Sequence, residues 1–222
     1  AGFTIVETDG STEVDESGTT DTFTVVLDAE PTSDVVLTIS SDDTGEATVP
    51  ASVTFTSADW DTPQTVTVTG VDDDIIDGTI TSTITVAVDD ANSDDNFDSV
   101  ADETVSATTT DDDVAGFTIV ETDGSTEVDE SGTTDTFTIV LDAEPTEDVV
   151  LSVTSGDETE VTVNPGSITF TNENWDTPQT ITTIGIDDVG IIDGSQSSDI
   201  TVAIVQEASD DNFDSVADQT VN

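Results

Sequence analysis

The stretch Thr20–Ser40, TDTFTVVLDAEPTSDVVLTIS, decides the fold. Phe23, Val25 and Leu27 fall on one side of an extended chain, with Thr22 and Thr24 on the other, and Val35, Leu37 and Ile39 repeat the pattern after Glu30-Pro31 breaks the run. Successive side chains of a strand point to opposite faces, so this period of two describes two strands with one apolar and one polar face, joined by a turn. Working outward, Phe3 and Ile5 predict a strand before it. Val53 with Phe55, Val66 with Val68, Ile84 with Val86 and Val88, and Val105 with Ala107 predict four strands after it. Asp9-Gly10, Ser17-Gly18, Asp61-Thr62-Pro63 and Asp77-Gly78 supply turns between them. No segment has helical periodicity of useful length. Seven short strands at this spacing predict an all-β fold, an antiparallel immunoglobulin-like β-sandwich.

The pattern occurs twice. Residues 1–32 and 115–146 are identical except that Val25 becomes Ile139. The chain of 222 residues is therefore expected to hold tandem seven-stranded sandwiches head to tail, repeat 1 over 1–113 and repeat 2 over 114–222. Repeat 2 reaches Val221-Asn222 without a counterpart of SATTTDDD, Ser106–Asp113, so its last strand is shortened. That shortening raises the expectation that a neighbouring segment, such as the AGFTIV of another copy, completes the strand by β-addition. Residue 1 is Ala and no secretory leader is recognisable, which reads as a processed end or a cut from a longer chain.

Composition removes whole classes of function. The chain has no Lys, Arg or His against 52 Asp and Glu, a formal charge of −52. Nucleic acid is excluded as a partner, because its recognition rests on basic side chains. No run approaches the length of a membrane helix, so membrane insertion is not expected. Without Cys there are neither disulfides nor thiolate metal sites. Catalysis would be left to carboxylates alone, in a fold without an obvious cleft, so no enzyme is expected.

The acids are grouped. Consecutive strands of a sandwich run oppositely, so alternate loops emerge at the same end. One end then collects Glu16, Asp42 with Asp43, Asp72, Asp73 and Asp74 with Asp77, and the terminal run Asp111, Asp112 and Asp113. No side chain here offers a positive charge, so clustered carboxylates must be solvated or hold cations. Ca2+, which takes six to eight hard oxygen ligands in flexible geometry, suits such loops better than Mg2+. VDDDIIDG, Val71–Gly78, is the strongest single element. It is not an EF-hand, since Ile75 interrupts it and no Glu closes it. At the opposite end the loop with Asp94, Asp95 and Asp98 competes between metal ligation and a role in seating Phe97 as a plug. Trp60 and Trp175, each before DTPQT, read as plugs at the sandwich end rather than as sugar-stacking platforms.

FTSADWDTPQTVTVTGVDDDIIDG and ITFTNENWDTPQTITTIGIDDVGIIDG, with NFDSVAD and the closing DDD, resemble the Calx-beta-like, immunoglobulin-like repeats of large bacterial secreted and surface proteins. The resemblance implies calcium at the interdomain end, held by Asp72, Asp73 and Asp111 to Asp113, with Asp187, Asp188 and Asp193 serving the second copy. It implies a calcium-stabilised structural repeat of a bacterial extracellular stalk, adhesin or filament, a spacer that assembles end to end with copies of itself or further repeats. The competing expectations are an adhesin module binding a glycan or other surface ligand and an acidic calcium-binding matrix protein.

Overall fold

The computed structural model of the chain describes residues 1–187 and 194–222. These residues are all-β, apart from a few short 3-10 turns, and form several largely antiparallel sheets. The chain divides into two compact units: Ala1–Asp73 with Asp77–Asp112, and Asp74–Ile76 with Asp113–Asn222.

In the first unit β1 (Phe3–Glu7), β2 (Thr12–Asp15), β3 (Thr20–Leu27), β4 (Val35–Ser41) and β5 (Ala47–Thr48) are followed by β6 (Ser52–Phe55), β7 (Gln64–Gly70), β8 (Ile80–Val88) and β9 (Glu103–Thr110). They make one sheet in the order β1-β3-β7-β5 and a second in the order β2-β9-β8-β4-β6. Phe23, Val25, Val66 and Val68 from the first sheet meet Leu37, Ile39, Ile84, Val86 and Val105 from the second in one buried cluster. The threonines between them lie on the outer faces. This is the division that the period-two pattern requires.

Two strands absent from the sequence reading, β2 and β5, have physical causes. After β1 the chain turns at Asp9 (φ 58°) and Gly10 (φ 89°), the left-handed region that Asp and Gly reach at least cost. That turn moves the next segment to the opposite sheet, where β2 pairs in parallel with β9, Thr12 opposite Ala107 through Asp15 opposite Thr110. One ladder of an otherwise antiparallel sandwich is therefore parallel. The short β5 closes the first sheet against β7, Ala47 opposite Gly70.

The second unit contains β10 (Phe117–Glu121), β11 (Thr134–Leu141), β12 (Val149–Ser155), β13 (Val161–Asn164), β14 (Ser167–Phe170), β15 (Gln179–Gly185), β16 (Ile200–Ile204) and β17 (Gln219–Val221). Its sheets run β10-β11-β15-β13 and β14-β12-β16-β17 around a core that includes Phe137, Ile139, Leu151, Ile181 and Val202. Among the described residues no strand forms over Thr126–Asp129, although its sequence is that of β2. Trp60 and Trp175 are partly buried, each packed against the core of its own unit.

Candidate metal centre

The acidic end of the first unit is assembled from four loops, and backbone geometry places each one. Glu16 follows β2, where its N–H donates to Thr110 O at 3.1 Å. The turn after it is tight: Gly18 N–H donates to Asp15 O at 3.2 Å, and the Asp15 side chain accepts from the Ser17 N–H and hydroxyl. Asp15 is thus occupied in holding its own turn while Glu16 points inward. The end of β7 lies directly against this segment. A Cβ on Gly70 would sit 2.0 Å from Asp15 O, so only glycine permits the approach. Glu46 is fixed by its carbonyl, which accepts from Val71 N–H at 2.9 Å and Thr109 Oγ1 at 3.3 Å. Asp77 precedes Gly78 (φ 78°), whose N–H donates to Asp111 Oδ2 at 2.8 Å.

Glu16 is 0 % exposed and Glu46 6 % exposed. Both carboxylate oxygens of Glu16 and Oε2 of Glu46 are buried without a hydrogen-bond partner. One oxygen from each of Glu16, Glu46 and Asp77 lies within 4.8 Å of the others. Burial, and then the charges of Asp111, Asp73, Asp77 and Glu46, push the Glu16 carboxyl up to about 7. Glu46 is raised by burial and by Asp77, Asp43, Asp73 and Asp111. Asp77 is exposed, yet partial desolvation and the charges of Asp73, Asp111 and Asp43 raise it as well.

A buried carboxylate without a donor is strongly unfavourable, and this chain has no basic side chain to relieve it. The charge is removed by protonation or balanced by a cation. Oxygens bound at about 2.3–2.6 Å on opposite sides of one Ca2+ stand about 5 Å apart, so three oxygens within 4.8 Å fit a single ion of that kind. The donor set is all hard oxygen, with Asp73, Asp111 and Asp43 adding negative charge around it. Glu16, Glu46 and Asp77 would hold the ion directly.

The remaining expected ligands divide. Asp42 is exposed and turned aside, accepting from Thr83 N–H at 2.6 Å. Asp43 accepts from Gly45 N–H at 3.0 Å. Asp73 and Asp111 are half-buried beside the cluster and Asp72 is exposed, while Asp112, exposed like Asp77, brings a carboxylate oxygen within 4.8 Å of one on Glu16. Asp74 is exposed and groups with the second unit, its carbonyl accepting from Glu144 N–H at 2.7 Å. Asp113 is half-buried and also belongs to that unit. Asp187 is exposed; Asp188 and Asp193 lie outside the described residues. The sequence reading missed Glu46. Its signal was present in Gly45-Glu46 closing the Asp42-Asp43 loop, with Glu160 as the counterpart in the second copy.

At the opposite end of the first unit Asp94 is not free to bind a metal. Its Oδ2 accepts from Thr32 N–H, Thr32 Oγ1 and Ser33 N–H, and its Oδ1 from Asn96 N–H and Nδ2. Those donors, the Asn96 N–H first among them, hold the carboxyl far below the usual carboxylate range. Phe97 beside it is buried in the core, as a plug. Asp210 plays the same part in the second unit, accepting from Thr146, Glu147 and Asn212.

No family model matches the chain, and no curated protein matches its sequence. Among solved structures, CBD12 from CALX1.2 and the calcium binding domain CBD12 of CALX1.1 each align at 14 % identity and TM-score 0.37, over 90 % of this chain and 79 % of theirs. The E. coli chaperone DraB aligns at 9 % identity and TM-score 0.37, over 92 % of this chain and 93 % of its own. Values of this size carry no assignment of family or function.

Proposed function

We propose that the chain is a calcium-stabilised structural repeat of an extracellular stalk, adhesin or filament at a bacterial cell surface, acting as a spacer and assembly module without catalytic activity. In this reading the units are Calx-beta-like, immunoglobulin-like sandwiches in a head-to-tail series, and bound calcium converts repulsion among the loops into stiffness. The supporting observation is the buried pair Glu16 and Glu46, of which both Glu16 carboxylate oxygens and Oε2 of Glu46 lack a hydrogen-bond donor, in a protein without one basic side chain. A cation that binds only the folded state stabilises it by mass action, by about 2.7 kcal/mol at a hundredfold excess over its Kd. Thermal melts at pH 8 with calcium and with chelator, together with a count of bound ions, test the reading. A raised melting temperature with at least one tightly held ion per chain is expected. Identical melts and no retained calcium refute it.

A further inference from the structure

We infer that the outer edges of β1 and β10 are lateral contact sites for a second copy of this chain, through antiparallel pairing with its own FTIVE strand. Each strand stands at the end of its sheet, in the orders β1-β3-β7-β5 and β10-β11-β15-β13, so one side of it is unpaired among the described residues. The opening belongs to the repeat itself. β10 follows directly on other residues of the chain and none of them pairs with it; β1, identical in sequence, is open on the same side. The Asp28 and Asp142 N–H groups donate to Gly2 O and Gly116 O. By alternation Phe3, Ile5 and Glu7, like Phe117, Ile119 and Glu121, therefore turn their N–H and C=O groups to the open side. Sheet edges are usually blunted by Lys, Pro or a bulge. FTIVE has none of these, and of the exposed large hydrophobic residues Val6 and Val120, each at 57 %, lie on these two strands, with Val114 at 75 % elsewhere.

Charge selects the occupant. With 52 acids and no base, two copies repel wherever carboxylates meet, and this edge is a strip where they do not. A two-fold seam centred on Ile5 sets Ile5 opposite Ile5, Thr4 opposite Val6 and Phe3 opposite Glu7, so no acid faces an acid across it. It forms about six main-chain hydrogen bonds and lays Val6 beside Thr4 of the second copy. A seam centred on Ile119 does the same for β10. Glu7 is also engaged within its own unit, accepting from Thr12 Oγ1 at 3.0 Å. On the outer face beside the seam, Thr22, Thr24 and Val26 of β3 and Thr65 and Thr67 of β7 are uncharged. A basic partner is drawn to the acidic loops instead. Asp9 and Asp28, the latter accepting from Thr4 Oγ1, stand at the ends of the seam, so the contact strengthens as salt screens them. The two edges differ in one respect. Gln219 Nε2 donates to Phe117 O and occupies part of the β10 edge, whereas its counterpart Glu103 is a carboxylate and leaves Phe3 O to an incoming N–H. A cleft of about 360 Å³ lies open there, lined by Phe3, Ile5, Glu103 and Val105 among others. β1 is the stronger contact. The pairing is side by side, beyond the end-to-end series proposed above, and needs no metal.

Sedimentation velocity of the full chain in chelator, at about 0.1 M and about 1 M NaCl, tests the seam, because the screening length shortens from about 10 Å to about 3 Å between them. Expected is concentration-dependent association, stronger at the higher salt, with new amide protection at Phe3, Ile5 and Glu7 as the protein is concentrated. Val6→Asp together with Val120→Asp puts a carboxylate into each seam and is expected to weaken association about tenfold or more, whereas Val114→Asp leaves it unchanged. V6D alone is expected to weaken it more than V120D alone; the reverse order overturns β1 as the stronger edge. Amide protection in the unaltered chain carries the test without any variant. A chain that stays monomeric at both salts, associates equally well with both valines replaced, or gains protection outside the FTIVE strands overturns the proposal. Chelator is present throughout, so that result leaves the calcium reading standing, and failure of the calcium melts leaves the seam standing.

Discussion

Replacing Glu16 by Gln is expected to change stability in opposite directions with and without calcium. In the metal-free protein the Glu16 carboxyl rises from an ordinary 4.5 to about 7, driven by burial and then by Asp111, Asp73, Asp77 and Glu46. An acid whose folded-state value is raised contributes stability that is fully present below the unfolded value, about 4.5, and lost as the pH climbs to about 7. At about 1.4 kcal/mol per tenfold, ionised Glu16 costs the metal-free fold about 3 kcal/mol above that window. E16Q removes the charge and keeps the shape, so at pH 8 with chelator the first unit is expected to gain up to about 3 kcal/mol, a rise in Tm of about 10 °C or more. With calcium the same change deletes a ligand, and E16Q melts below the wild type. The identical residue in the other copy is the control: Glu130 is exposed, and E130Q is expected to move stability by less than about 0.5 kcal/mol in either condition. Differential scanning calorimetry of both variants at pH 5 and pH 8, with calcium and with chelator, reads all of this. If E16Q destabilises equally in every condition, the buried-charge reasoning is wrong.

Calcium affinity is expected to fall as the pH drops from 7 towards 5, because the ion must displace a proton from Glu16; titration calorimetry across that range shows about a tenfold loss per pH unit below 7, or its absence. Gly70→Ala places a methyl against the Asp15 carbonyl and is expected to cost the first unit about 2–4 kcal/mol by denaturant unfolding, with a comparable loss in the second unit for Gly185→Ala. Asp94→Ala leaves the Thr32, Ser33 and Asn96 donors without their acceptor. It is expected to lower the melting temperature by about 5 °C or more without changing the number of calcium ions.

The sandwich was legible because its signal is local. Phe23-Thr24-Val25-Val26-Leu27 states in five letters which face is wet, and β4 and β7 repeat the statement, although Thr109 in β9 and Thr183 in β15 are polar letters on the buried face. β2 was harder, because the partner that makes Thr12–Asp15 a strand is Ala107–Thr110, far along the chain and parallel. Strand parity sufficed to bring Glu16, Asp43, Asp73, Asp77 and Asp111 to one end of the first unit. It could not say which of two adjacent acids turns inward. Asp15 staples its own turn while Glu16 is buried, and Asp42 binds the Thr83 backbone while Asp43 acts on Glu46. Those choices are fixed by hydrogen bonds within the assembled loops, to Ser17, Gly45 and Thr83, and not by the run of letters. The resemblance in the TrpAspThrProGlnThr and ValAspAsp segments pointed to the aspartates after β7 and β9. The more deeply buried pair, Glu16 and Glu46, comes from the loops after β2 and β4.

Crystals grown at pH 8 with calcium, measured near an absorption edge where the ion scatters anomalously, put the central claim to its most direct trial. The expected result is a peak about 2.3–2.6 Å from carboxylate oxygens of Glu16, Glu46 and Asp77. A well-ordered loop cluster with no peak there, while the chelated and calcium-soaked chains melt alike, contradicts it.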